Sequence, residues 1–146
     1  MSWWVQLIAC GVAAASFSVL MHQPWKTIPV TSLIGIAGYS VFLLLGSSTM
    51  GFFLASLLIG VLCEICARLM KRAATLFVTG AIIPLVPGIG LYNTMLYVVE
   101  GNYERAVSVG AATLLGICGI ALAITMSSVI FTAFHPKRQK EAPHEE

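Results

Sequence analysis

The stretch AIIPLVPGIGLYNT, residues 81–94, holds two prolines and two glycines between Pro84 and Gly90, inside an otherwise apolar segment. A proline has no N–H, and its ring displaces the carbonyl four residues back, so a helix through this stretch must break. A loop in water would not be flanked by so much valine, leucine and isoleucine. What the break is for depends on the solvent that surrounds it.

Composition supplies that solvent. The chain has 146 residues, of which 58% are hydrophobic and 10% charged, and its mean hydropathy is +0.92. Soluble domains are about half apolar and about a quarter charged. One domain of this length could not cover so much apolar surface in water, so the chain reads as an all-α polytopic membrane protein. The net charge of +2 does not point to nucleic acid, because the charges cluster at segment ends. The N-terminal run MSWWVQLIACGVAAASFSVLM has no basic start and is too long for the core of a signal peptide. It is read as a spanning helix.

A bilayer core about 30 Å thick takes roughly 20 apolar residues per helix. Five stretches fit: Trp3 to Met21, Ile28 to Gly46, Thr49 to Met70, Thr75 to Val99, and Ala106 to Phe134. The expected organisation is a five-helix transmembrane domain over residues 1–134 and a polar cytoplasmic tail over 135–146. Pro29 suits the first turn of the second helix, and Asn102 and Glu104 suit the start of the last one. Small residues four apart, such as Gly11 and Ala15 or Ser56 and Gly60, predict close helix packing. Trp3, Trp4 and Trp25 sit at segment ends, as interfacial aromatics do.

Lys and Arg give the orientation. Lys26, Arg68, Lys71, Arg72, Lys137, Arg138 and Lys140 fall on one side of five spans, and only Arg105 on the other. The basic side is expected to be cytoplasmic, with the N-terminus outside and the C-terminus inside.

The break then lies near the bilayer midplane. Pro84 is expected to free the carbonyl of Gly80, and Pro87 that of Ile83. Pro87 is placed to begin a second half-helix, whose first N–H groups, Gly88, Ile89, Gly90 and Leu91, would lack partners. Broken backbone survives in hydrocarbon only where protein or water covers it. In transporters, half-helix N-termini face carboxylates and unwound carbonyls face cations. Asn93, with Tyr92 and Thr94, could add hydrogen bonds; Thr79 and Tyr97 lie further off. The bland reading is a proline kink that serves packing, and four breakers together favour a functional site over it.

Glu64 is the one acidic residue well inside a span, and an intramembrane carboxylate is a functional candidate by default. Arg68, four residues on, shares its helix face. The two could couple transport to a proton or simply form a structural pair. Cys63 and Cys66 form a CxxC without a second pair or a histidine, and read as packing residues. No metal or cofactor site is expected. No GxSxG, HExxH or Walker-type sequence argues for an enzyme.

PLVPG in the fourth apolar segment, followed by IGLYNTMLYVVEGNYERA, resembles the threonine/serine exporter family. The likeness is to the small five-helix subunit of its split, two-component forms. It extends over about Trp3 to Phe134, with its specific part at Pro84 to Gly90. The resemblance implies export of threonine- or serine-type amino acids, or of a dicarboxylate such as succinate as in related two-component systems, driven by protons. It also implies a larger partner with a cytosolic domain followed by five helices. Such a partner would enter the membrane from the opposite side, giving the opposed halves of an inverted-repeat transporter. A non-transporting scaffold that stabilises the partner is the alternative.

Overall fold

The computed structural model describes residues 3–46 and 49–134. Ser47 and Ser48 of the second link, and the tail with Lys137, Arg138 and Lys140, lie outside the described residues. The described residues form six α-helices: α1 (Trp3–Leu20), α2 (Ile28–Leu44), α3 (Thr49–Leu69), α4 (Ala74–Ile82), α5 (Gly88–Val99) and α6 (Tyr103–Phe134). A single 3-10 turn, Ile83–Leu85, follows α4.

By length and apolar composition α1, α3 and α6 can each cross a membrane, and the α4–α5 pair makes up to four such elements. The 17 residues of α2 are apolar but shorter. Ala74–Leu85 and Gly88–Val99 meet at a bend of 49°. At 1.5 Å per residue each piece reaches only about 18 Å, well short of a hydrocarbon core of about 30 Å.

The chain stops its helices by backbone rules. Pro29 lies in the first turn of α2. His22 takes φ 53° and Lys71 φ 52°, both left-handed. At the end of α1 the Gln23 N–H bonds the Ser18 carbonyl and the His22 N–H that of Val19; at the end of α3 Arg72 and Lys71 repeat the pattern with Ala67 and Arg68. These are Schellman caps with a non-glycine at the left-handed position. Gly101, φ 75°, makes the same cap for α5 at no steric cost. Asn102 then caps α6 by accepting the Arg105 N–H at 3.4 Å. That helix starts at Tyr103, three residues before the Ala106 expected from hydropathy, because the cap and not the apolar run sets its first turn.

Contacts fix the directions of the helices. Ser18 meets α4 at Gly80, while Cys10 donates to the Gly35 carbonyl, so α1 runs against both α2 and α4. Gly38 of α2 lies on Ile59, and the rings of Phe42 and Phe52 stand 4.5 Å apart, so α2 and α3 are antiparallel. Gly116 of α6 packs on Phe52, Gly60 of α3 packs on Ser127, and Arg68 reaches Phe131, so α3 and α6 run parallel. Gly90 meets Thr113 and Gly110 meets Thr94, which makes α5 antiparallel to α6. The core cluster, Ile34, Ala55, Ile59, Cys63, Ala67, Phe77, Ala81 and Leu85, lies where α2, α3 and α4 converge. Small residues at these crossings let backbones approach closely, as close packing in lipid requires. By contrast α5 has no fully buried residue and leans chiefly on α6 among the described residues.

Candidate functional site

The break begins where Pro84 fails to supply an N–H to α4. The chain tightens into the 3-10 turn, and Val86 donates to the Ile83 carbonyl at 3.2 Å. That carbonyl is therefore not free, contrary to the expectation for Pro87. Gly88 donates back to the Val86 carbonyl at 2.7 Å, and Leu91 to that of Pro87 at 3.2 Å. Of the four orphan donors expected, two are thus satisfied. Ile89 and Gly90 remain, with no backbone acceptor among the described residues.

A cavity of about 640 Å³ opens at the break. Pro84, Pro87, Gly88, Ile89 and Gly90 line it, together with Gln6 of α1, Tyr39 of α2, Thr49 of α3, and Ser108 and Thr113 of α6. A Cβ on Gly88 would meet nothing within 4 Å, and its φ lies outside the left-handed region. Neither close packing nor backbone strain therefore requires glycine at position 88, and a side chain there would project into open space at the break. Gly90 acts differently, because a Cβ there would collide with the Thr113 hydroxyl. Thr94 donates to the Gly90 carbonyl at 2.7 Å and Thr113 to that of Val109 at 2.7 Å, so each hydroxyl is held on its own helix at the α5–α6 crossing.

Four of the residues predicted for this site lie elsewhere. Gly80, Ile83, Leu91 and Asn93 do not line the cavity. Gly80 is buried against a polar knot formed by Ser18, Gln23 and Thr31, and a Cβ there would lie 2.6 Å from both Ser18 Oγ and Thr31 Cγ2. Gln23, in the link after α1, is only 6% exposed. Its Nε2 donates to the Leu76 carbonyl, and its Oε1 accepts from Thr31 at 3.3 Å. The knot ties the first half of the broken pair to the α1–α2 hairpin.

A second cavity, of about 530 Å³, lies towards the other end of the bundle. Glu64 and Arg68 both line it, with Lys71 and Arg72 of the next link, Thr75 and Thr79 of α4, and Ser127, Ser128 and Thr132 of α6. Arg68 does not turn to Glu64. Its Nη2 donates to the Phe131 carbonyl at 2.6 Å and its guanidinium lies 5.2 Å from the Phe131 ring centroid. The local pair expected from the four-residue spacing is replaced by a clasp between α3 and α6. Glu64 has no ion pair among the described residues. Cys63 and Cys66 are free thiols.

Sequence reasoning missed Gln6, Ser108 and Thr113 at the break and Ser127, Ser128 and Thr132 at the second cavity. The available signal was a polar side chain inside an apolar run, but a lone Ser or Thr more often bonds its own helix, as Thr113 and Thr132 also do here.

Apolar helices long enough to cross a bilayer, a helix pair interrupted at two prolines, and two cavities towards opposite ends that each admit a few polar side chains describe a multi-pass membrane protein. The chain belongs to the threonine/serine exporter family: the sequence model described as "Threonine/Serine exporter, ThrE" matches residues 6–130. No solved structure matches the chain.

Proposed function

We propose that the chain is the membrane subunit of a two-component, proton-coupled exporter of small carboxylates, either threonine- or serine-type amino acids or a dicarboxylate such as succinate. The observation that carries this reading is the cavity at the break. There the N–H groups of Ile89 and Gly90 lack backbone acceptors at the start of a half-helix. Such an end carries roughly half a positive charge, and a carboxylate is its natural partner.

In this reading α4 and α5 are the two halves of one span, the fourth of five. The helix directions support it. Parallel α3 and α6 need a single net crossing between them, and a bend of 49° carries the chain onward rather than back. The chain sits in the cell inner membrane with its N-terminus outside, so the Lys71–Arg72 end faces the cytoplasm. Glu64 is the coupling carboxylate, with Arg68 holding its helix to α6. The larger subunit, with a cytosolic domain and five helices of opposed orientation, supplies the other half of the pathway.

The test is efflux from proteoliposomes loaded with L-threonine, L-serine or succinate. The chain is reconstituted with the larger subunit and a pH gradient is imposed. Efflux that needs the gradient and falls at least tenfold in Glu64→Gln supports the reading. Efflux indifferent to every substitution at the break and at Glu64, yet dependent on the presence of the chain, would make it a scaffold.

A further inference from the structure

The second cavity combines features that the break does not. Its floor is α3, with Glu64, the one carboxylate away from the ends of a candidate span among the described residues. Its mouth is the α3–α4 link, with Lys71 and Arg72. The first turn of α4 also lines it, capped by Ala73, which offers no side-chain hydrogen bond. Its walls carry hydroxyls of α4 and α6. Arg68 is engaged at Phe131, which leaves Lys71 and Arg72 as the cations at the mouth and Glu64 without an ion pair among the described residues. A carboxylate exposed to an open cleft within a span attracts a cation, since lipid offers it nothing.

We infer that this cavity is a second binding site, which receives an α-amino acid as a zwitterion from the basic end of the bundle: Glu64 takes the ammonium group, and Lys71, Arg72 and the first turn of α4 take the carboxylate. The inference rests on the exporter reading and adds a site and a substrate preference to it. A dicarboxylate offers no group for Glu64 and would bring a second negative charge towards it, so an amine-bearing substrate is selected over succinate. Ser128 and Thr79 are placed to meet a hydroxyl on the substrate side chain, which suits threonine and serine. A proton and an ammonium group cannot share one carboxylate at once. The same contact therefore serves the proton-for-substrate exchange, while α4 and α6 bring only hydroxyls to the cavity.

All of the cavity lining comes from this chain, so equilibrium binding is measured on the purified full chain in nanodiscs. The probes are L-threonine, 3-hydroxybutyrate (threonine without its amine) and succinate. Wild type is expected to bind threonine at least tenfold more tightly than either other probe. Glu64→Gln should remove that preference by weakening threonine alone. Lys71→Gln with Arg72→Gln should weaken threonine and 3-hydroxybutyrate together. Ser128→Tyr, a change at an exposed position of α6 that fills the cavity, tests the site if Glu64→Gln fails to fold, and should abolish threonine binding with an unchanged melting temperature. A Glu64→Gln protein that keeps the threonine preference, or a Ser128→Tyr protein that binds threonine normally, overturns the inference. Equal binding of succinate and threonine by wild type also overturns it while leaving the exporter reading standing. No binding of any probe, together with no efflux by the two-subunit system, would remove both.

Discussion

Gly80 and Gln23 show how single residues hold this molecule together. Gly80 lies where α4 presses on the end of α1, and any side chain there meets Ser18, Thr31 and Gln23. Overpacking of this kind costs typically about 1–3 kcal/mol. Gly80→Leu is therefore expected to lower the melting temperature of the detergent-solubilised protein, and an unchanged value would show that the knot yields freely. At His22 the expectation has the opposite sign. The residue is exposed and held at φ 53°, where a side chain costs roughly 1–2 kcal/mol and glycine costs nothing. His22→Gly should stabilise by up to about 1 kcal/mol once the entropy of glycine is subtracted, read as a raised melting temperature. The sequence made Gly80 a source of a free carbonyl, because Pro84 is four residues on. It could not show that Gly80 is a contact, since Ser18 and Gln23 reach it only through the fold. Gln23 itself sits in a link that reads as aqueous, and its burial is explained only by partners the fold supplies, the Leu76 carbonyl and the Thr31 hydroxyl.

Among the elements, α5 is the least secured. It packs chiefly on α6 and meets it at two crossings, Gly90 on Thr113 and Thr94 on Gly110. Gly90→Val would drive a side chain into Thr113 and force the half-helix away from α6. The expected result is a fall in thermal stability that Thr113→Ala largely restores, because the two positions share one contact. Additive losses in the double variant would show that they do not. The break between α4 and α5 was legible because Pro84 and Pro87 forbid a continuous ladder whatever surrounds them. The lengths of α1, α3 and α6 were legible because apolar runs are long. Two details at the break were not. Short backbone returns absorb the Gly88 donor and the Ile83 carbonyl, and turns of that kind depend on local angles that composition does not encode. The Glu64–Arg68 pair failed for another reason. A spacing of four permits a contact, but the carbonyl and ring of Phe131, 63 residues away in sequence, compete for the guanidinium from α6.

For the molecule as a whole, helix direction and charge agree. Lys26, Arg68, Lys71 and Arg72 gather where α1 and α3 end and α2 and α4 begin, and Arg105 lies at the start of α6. A C-terminal alkaline phosphatase fusion is expected to be inactive and a C-terminal green fluorescent protein fusion bright; an active phosphatase would reverse the orientation. The two cavities lie towards opposite ends, with the broken pair contributing to both. The central claim is that the break exposes backbone for substrate rather than serving packing. Replacing Pro84 and Pro87 together with alanine lets the helix run through and closes those polar groups into its ladder, removing residues that cost roughly 3 kcal/mol each in a helix interior. The most direct measurement is L-threonine efflux by the Pro84→Ala, Pro87→Ala variant, reconstituted with the larger subunit proposed above, beside its melting temperature in the same preparation. The prediction is an equal or higher melting temperature with efflux reduced at least tenfold. A variant that exports normally, or one that simply unfolds, would contradict it.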